Sequence, residues 1–223
     1  MYRCVIFDFD GTLGNTEDLA LRVAVTLAEK YNFRSITRKE IPLIKGMTPR
    51  EGMAYMGISR FRLPFIIREA HQILKSEMSR VPLSRPELSD ALLRMAADQI
   101  ELGIITSNSQ DNVEAFLALH EIPVFGFVRS SSVFGKSRHF RKVLKSLRLE
   151  RQELLYVGDE CRDIHAARRA GIPIAVVTWG FNSRECLVAE KPDYLVDTVE
   201  ELERIVRGEK SDQGDRTDRS DNG

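Results

Sequence analysis

Short apolar runs recur along the chain, and the clearest is the unbroken run Cys4-Val5-Ile6-Phe7. Runs of this kind are typical of strands buried on both faces of a sheet. The pattern predicts strands over residues 3–9, 100–105, 124–128, 154–157, 174–177 and 193–196.

Between these runs, apolar residues recur at helical spacing. Leu19, Val23 and Leu27 share one face of a helix predicted over residues 15–31. Further helices are predicted over residues 88–98, 111–120, 136–147, 163–170 and 199–207. Residues 32–80 look helical throughout, with a helix start at Thr48-Pro49, and residues 82–86 form a break.

The alternation of strands and helices predicts an α/β fold, a Rossmann-like parallel sheet flanked by helices. The long helical stretch interrupts the first crossover and is therefore interpreted as an insertion. We predict a core of residues 1–14 and 83–207 and an inserted all-helical unit of residues 15–82. Residues 208–223 contain no apolar side chain, so we expect a disordered tail.

Charge and cysteine content narrow the functional classes. The chain has 33 basic and 33 acidic residues, which argues against nucleic acid or a membrane surface as the main partner. Its three cysteines are widely spread without a CxxC pair, so we expect isolated thiols and neither a disulfide scaffold nor a zinc site. With no signal peptide or membrane-length apolar run in this sequence, we expect a cytoplasmic protein.

Two carboxylates, Asp8 and Asp10, follow the first apolar run, and Gly11 and Thr12 come next. Like charges this close repel, so one carboxylate would be protonated unless a cation lies nearby. Hard oxygen ligands suit Mg²⁺. The alternative is that Asp10 or Thr12 merely caps a helix.

Other polar residues follow the second and fourth predicted strands. Thr106, Ser107 and Asn108 come after one, and Asp159 comes after the other, with Asp163 one helical turn later. The carboxyl ends of parallel strands meet at one edge of a sheet, so we expect these side chains to meet Asp8. The alternatives are that Thr106, Ser107 or Asp159 caps a helix and that Asp163 is a structural hydrogen-bonding residue.

These motifs, in this order, resemble those of the haloacid dehalogenase-like phosphatases, in particular the phosphoglycolate-phosphatase branch. The resemblance spans residues 2 to about 207, and its four motifs are Asp8 to Leu13, Ile104 to Asn108, Lys136, and the GDxxxD pattern of Gly158 to Asp163. It implies that the helical insertion is a cap over the site. Lys142 is a less favoured candidate for the lysine of the third motif. The alternative for Lys136 is a solvated position on the surface.

The resemblance implies a role for each residue. Asp8 would be the nucleophile that forms an aspartyl-phosphate, and Asp10 would be the acid and base. Lys136 would neutralise charge, while the phosphoryl group or substrate would be held by Thr106, Gly11, Thr12, Ser107 and Asn108. Mg²⁺ would be held by Asp8, Asp10 through its carbonyl, and Asp159, with Asp163 orienting a bound water.

The predicted cap carries two candidate substrate residues, Lys45 and Arg50, which would hold an anionic end of the substrate. The alternative for Arg50 is an exposed helix start. We expect hydrolysis of a small phosphorylated metabolite, with phosphoglycolate as the first candidate, by a monomer or homodimer. A phosphosugar mutase and a non-catalytic regulatory or scaffolding protein are the rival interpretations.

Overall fold

A computed structural model of the chain describes residues 1–45, 47–132 and 135–209, apart from the side chains of Arg38, Pro42, Lys45, Pro49 and Ser79. Residues 210–223, most of the predicted tail, lie outside this range. No helix among the described residues combines the length and the apolarity needed to cross a membrane.

Six parallel strands form one sheet in the order β3-β2-β1-β4-β5-β6. The strands are β1 (Cys4–Phe7), β2 (Glu101–Thr106), β3 (Phe125–Ser130), β4 (Leu154–Gly158), β5 (Ile174–Val177) and β6 (Tyr194–Val196). The predicted α/β fold with a parallel sheet is confirmed.

Helices connect the strands. They are α1 (Glu17–Tyr31), α2 (Ile41–Lys45), α3 (Pro49–Met56), α4 (Leu63–Glu77), α5 (Leu88–Ala97), α6 (Gln110–Leu119), α7 (Lys136–Leu147), α8 (Cys161–Ala170), α9 (Arg184–Ala189) and α10 (Val199–Arg207). Short 3-10 turns lie at Arg38–Glu40, Met78–Arg80 and Arg151–Glu153. Helix α9 was not predicted.

The apolar runs of the four inner strands form strands because the sheet is buried there on both faces. Val5 and Phe7 of β1 belong to one hydrophobic cluster, whereas Cys4 and Ile6 belong to the cluster on the other face. Alternate side chains of a strand point to opposite faces, so a continuous apolar run fills both. β1 pairs with β2 and β4 and lies inside the sheet, which places its carboxyl end between two neighbouring strand ends.

Helices α1 to α4 lie between β1 and α5 in the chain. α1 and α4 are joined by Glu69, which accepts hydrogen bonds from Lys30 and Tyr31. The two connections to this helical segment run side by side: Gly14 bridges Leu83, and the Asn15 N–H donates to the Pro82 carbonyl at 2.9 Å. The described residues of 32–80 contain no strand. The domain boundaries at residues 14 and 82 stay a prediction.

Several boundaries differ from those predicted, and the differences fall next to the site. β1 ends at Phe7, so Asp8 already lies in the loop. Helix α6 is capped by Ser109, whose hydroxyl accepts from the Asn112 N–H, so capping by Thr106 or Ser107 is wrong. Helix α8 is capped by Glu160, which excludes Asp159 as its cap.

Two of the cysteines are not isolated. The Sγ atoms of Cys161 and Cys186 lie 2.8 Å apart, although both thiols are free. Helix α9, absent from the predicted elements, carries Cys186 to this position. The expectation of isolated thiols is therefore wrong for this pair.

Candidate active site

Three neighbouring strands bring the predicted polar residues to one edge of the sheet. Asp8 follows β1, Thr106 ends β2, and Asp159 follows β4. All three side chains are buried. The expectation that parallel strand ends would gather these residues agrees with their placement.

Lys136 lies at the centre of the charge network. Its Nζ donates to Asp8 Oδ2 at 2.5 Å, to Asp163 Oδ1 at 2.8 Å and to the Tyr156 hydroxyl at 2.6 Å. Lys136 is only 1% exposed, whereas Lys142 of the same helix is exposed. This placement excludes a surface position for Lys136, and it excludes Lys142 as the lysine of the site. Burial opposes the lysine's charge, but Asp163 and Asp8 together raise its pKa.

Tyr156 is a site residue that the motifs do not include. Its hydroxyl donates to Asp163 Oδ1 at 2.9 Å, next to the Lys136 ammonium. Its one signal in the sequence is a hydroxyl within the otherwise apolar run Leu154-Leu155-Tyr156-Val157. A buried hydroxyl needs a partner, which points to a polar group at that strand end.

Asp163 is held by donors on both of its oxygens. Besides Lys136 and Tyr156 on Oδ1, its Oδ2 accepts from the backbone N–H groups of Asp159 (3.3 Å) and Glu160 (3.2 Å). Although burial opposes ionisation, Lys136 and Arg162 lower the pKa of Asp163. Asp163 is thus an ionised group that fixes the lysine and the loop after β4.

Asp159 is fixed by the first loop and by the loop after β5. Its Oδ1 accepts from the Thr12 hydroxyl and its Oδ2 from the Phe181 N–H, both at 2.7 Å. Gly11, at φ +77°, and Gly180 pass so close that a Cβ on either would overlap the Asp159 carboxylate. Thr12 was predicted to contact the phosphate or substrate, but its hydroxyl orients this carboxylate instead.

Asp8, Asp159 and Asp163 form a cluster that could hold a cation. One carboxylate oxygen from each lies within 4.8 Å of the others, and all three residues are buried. Burial, with Glu160, Asp163 and Asp8, raises the pKa of Asp159 well above its usual range. Burial also raises the pKa of Asp8, despite Lys136. One lysine does not neutralise three carboxylates, and an all-oxygen donor set fits Mg²⁺.

The Asp10 carboxylate lies apart from this cluster. The side-chain amide of Asn108 donates to Asp10 Oδ1 at 3.1 Å and Oδ2 at 3.3 Å. Burial and the charge of Asp8 raise the pKa of Asp10 to about 6. A carboxyl group with a pKa near neutrality suits proton transfer, and the Asp10 carboxylate is not one of the three that form the cation cluster.

The loop after β2 is held by hydrogen bonds of Asn108. The Asn108 N–H donates to Thr106 Oγ1 at 3.0 Å, and the Asn108 side-chain oxygen accepts from Ser109 N–H and Asn112 Nδ2, each at 2.8 Å. Asn112, buried in α6, is a second residue that the motifs do not include. The loop is therefore a fixed wall beside Asp8 and Asp10.

A cavity of about 840 Å³ opens between this wall and helices α1 to α4. Asp10, Ser107 and Asn108 line it, as do Glu160 and Arg162, which the motifs did not single out. Arg162 donates to Glu160, whose pKa burial raises to about 7 despite that partner. Arg50 is exposed and is not one of the lining residues, so the structure does not bring it to the site. The Lys45 side chain lies outside the described residues.

The chain is similar in sequence and in fold to known hydrolases. Residues 5–177 match the haloacid dehalogenase-like hydrolase family. A phosphoglycolate phosphatase of Synechococcus elongatus is 30% identical over 202 residues, which cover 90% of this chain and 95% of that protein. A pyrophosphatase of Anoxybacillus flavithermus is 25% identical, covering 89% and 94% of the two chains. A haloacid dehalogenase-like family hydrolase from Streptococcus pneumoniae shares the fold, with a TM-score of 0.75, 22% identity, and 90% and 96% coverage.

Proposed function

The chain belongs to the haloacid dehalogenase-like hydrolase family, and from this premise we propose that it is a Mg²⁺-dependent phosphatase that hydrolyses small phosphomonoesters on Asp8. The observation that carries the proposal is the Lys136 ammonium 2.5 Å from Asp8 Oδ2, with Asp159 and Asp163 in the same cluster. This arrangement places the Asp8 carboxylate beside a positive charge that opposes the effect of burial on its ionisation, which suits transfer of a phosphoryl group.

In the first step, an Asp8 carboxylate oxygen attacks phosphorus while the bond from phosphorus to the ester oxygen breaks. Asp10 gives its proton to the departing alkoxide, so an alcohol leaves and an aspartyl-phosphate remains. In the second step, Asp10 takes a proton from a water molecule that attacks phosphorus. The bond to Asp8 breaks, inorganic phosphate leaves, and both carboxyl groups return to their first state.

The other residues stabilise charge and hold geometry. Lys136 neutralises Asp8 and the phosphoryl oxygens, and the Thr106 hydroxyl and the Ser107 N–H donate to those oxygens, while Asn108 donates to Thr106 and Asp10. Mg²⁺, held by Asp8, Asp159 and the Asp10 carbonyl, would supply charge neutralisation on the transferring phosphoryl group. Asp163 acts through Lys136, whose ammonium it orients.

The substrate is a small phosphorylated metabolite. Phosphoglycolate is the first compound to assay, because the motifs resemble that branch and a relative carries that name. We place the enzyme in the cytoplasm as a monomer or homodimer, consistent with its three free cysteines.

Replacing Asp8 with Asn tests the nucleophile. The amide keeps the shape but is a poor nucleophile, so we expect Asp8→Asn to lose at least about a thousandfold in phosphate release. Asp111→Asn, the same change at an exposed residue of α6, is the control and should keep wild-type turnover. Release is measured with and without Mg²⁺, and circular dichroism checks folding. Substantial turnover by the folded Asp8→Asn protein would overturn the proposal.

A further inference from the structure

The cavity beside the site has two chemically different ends. Its core end is polar and includes Asp10, Ser107 and Asn108. Its other end is formed by helices α1 to α4 and is lined mainly by apolar side chains, with Glu17, Thr48 and His71 among them. We infer that the natural substrate is a phosphate ester of an apolar alcohol, whose hydrocarbon part occupies this second end. The inference rests on the proposed function, since it assigns the leaving group of that reaction.

The apolar end is built from facing stripes of helix surface. Leu21 and Ala24 of α1 lie opposite Ile67 and Leu74 of α4, and Ile44 and Met53 of α2 and α3 complete the wall. None of these six side chains is fully buried, so their apolar surface remains available. Apolar walls with a few polar groups at one end are characteristic of small-molecule sites.

Charge in the cavity argues against an anionic leaving group. Among the lining side chains that the structure describes, Arg162 is the only guanidinium or ammonium group, and its charge is paired with Glu160, although its buried Nε has no hydrogen-bond partner among the described residues. Burial lowers the pKa of His71, another lining residue, so this imidazole is neutral at neutral pH. A carboxylate on the leaving group, such as that of glycolate, would lie against mainly apolar side chains, with no cation other than Arg162 among the lining side chains that the structure describes, which is costly.

The size of the cavity also favours an apolar leaving group. A volume of about 840 Å³ suits a ligand much larger than a two-carbon acid. A longer hydrocarbon chain removes more apolar surface from water, and each buried methylene is worth about fourfold in affinity. The phosphoryl end stays the same for every such ester, so chain length changes only the contacts in the apolar end.

Primary alkyl phosphates from ethyl to octyl test the inference, because their leaving groups are of similar acidity. We expect kcat/KM to rise about fourfold per methylene until the cavity is filled, mainly through a falling KM. Hexyl phosphate should exceed phosphoglycolate by more than tenfold. A flat or falling series, or a preference for phosphoglycolate, would overturn the inference.

Two further probes separate this inference from the proposed function. Acetyl phosphate is small and activated, so a phosphatase should hydrolyse it whatever the shape of the cavity. If acetyl phosphate is hydrolysed while kcat/KM does not change along the alkyl series, the inference about the apolar alcohol is wrong and the proposed phosphatase function stands. If no phosphate ester is hydrolysed, the proposed function fails. The inference about the apolar end is then tested separately, by measuring the binding of alkylphosphonates with calorimetry in the presence of Mg²⁺. Affinity that rises with chain length, with a negative heat-capacity change, would support it. Affinity independent of length would refute it.

A matched pair of variants tests whether the dependence of kcat/KM on chain length arises in the apolar end of the cavity. Ile44 lines the cavity, whereas its neighbour Leu43 is 53% exposed and does not. We expect Ile44→Ser to lower the octyl-to-ethyl ratio of kcat/KM severalfold and Leu43→Ser to leave that ratio unchanged. Met53→Ser replaces Ile44→Ser if the latter does not fold. Equal ratios in the lining variant and in Leu43→Ser would contradict the assignment of the apolar end.

Discussion

Lys136 is the residue on which the charges of the site depend. Replacing it with Ala would leave Asp8 and Asp163 buried without their cation, which costs about 3–5 kcal/mol of unfolding free energy. Loss of its charge from the transition state should also lower kcat by about a hundredfold to a thousandfold. Urea denaturation of the metal-free protein and phosphate release measure the two effects.

Lys142→Ala is the control for this prediction, since Lys142 lies on the same helix and is exposed. It should change the unfolding free energy by less than about 0.5 kcal/mol and leave phosphate release unchanged. Equal effects of the two substitutions would show that the buried contacts of Lys136 contribute no more to stability or to phosphate release than an exposed lysine does.

At the residue scale, the sequence predicts which acids meet but not how each is held. Asp8 and Asp159 are predictable because a parallel sheet gathers strand ends at one edge. The hydrogen bond from Thr12 to Asp159 joins residues 147 positions apart, and that from Lys136 to Tyr156 depends on side-chain packing. No local pattern encodes such bonds. Arg50 was misplaced for a similar reason, because the direction a helix presents its side chains depends on tertiary packing.

At the element scale, the tight turn after β1 depends on the absence of a side chain at Gly11. Gly11→Ala would combine a positive φ of +77° with overlap against the Asp159 carboxylate. We expect a loss of more than about 2 kcal/mol in unfolding free energy or a displaced carboxylate, and in either case a fall in kcat of at least tenfold. Thermal unfolding and phosphate release distinguish the two.

Gly57 supplies the control for the turn, because its φ is +68° and nothing lies within 4 Å of an added Cβ. Gly57→Ala therefore reports backbone strain alone, about 1 kcal/mol, and should keep full turnover. If Gly11→Ala behaves like Gly57→Ala, close approach to Asp159 is not what requires glycine after β1.

Elements with strong periodicity are the ones that the sequence predicts. All six strands and the long helices of the core are found, because buried apolar runs and amphipathic stripes carry their own signal. Helix α9 has six residues, and its start depends on the Ser183 hydroxyl accepting from the Cys186 N–H. A helix this short has too few turns for a period to show, so its formation follows from local capping and from packing of Leu187 in the core.

At the scale of the whole molecule, the sheet edge concentrates negative charge that the protein alone does not neutralise. Cation binding at Asp8 and Asp159, beside Asp163, should therefore stabilise the fold. At a Mg²⁺ concentration about 100 times its dissociation constant, binding adds about 2.7 kcal/mol, or a rise of roughly 5–10 °C in Tm. Calorimetry of the metal-free protein with increasing Mg²⁺ measures this rise.

Asp159→Asn identifies the source of that stabilisation. Burial and the neighbouring carboxylates already favour the neutral form of the Asp159 carboxyl in the metal-free site, so the neutral amide should leave the metal-free variant at least as stable as the wild type. The same change removes a cation ligand, so the rise in Tm with Mg²⁺ should shrink or disappear. Opposite signs with and without Mg²⁺ arise only if the carboxylate destabilises the empty site and binds the ion. A full rise in Tm in the variant would place the cation elsewhere.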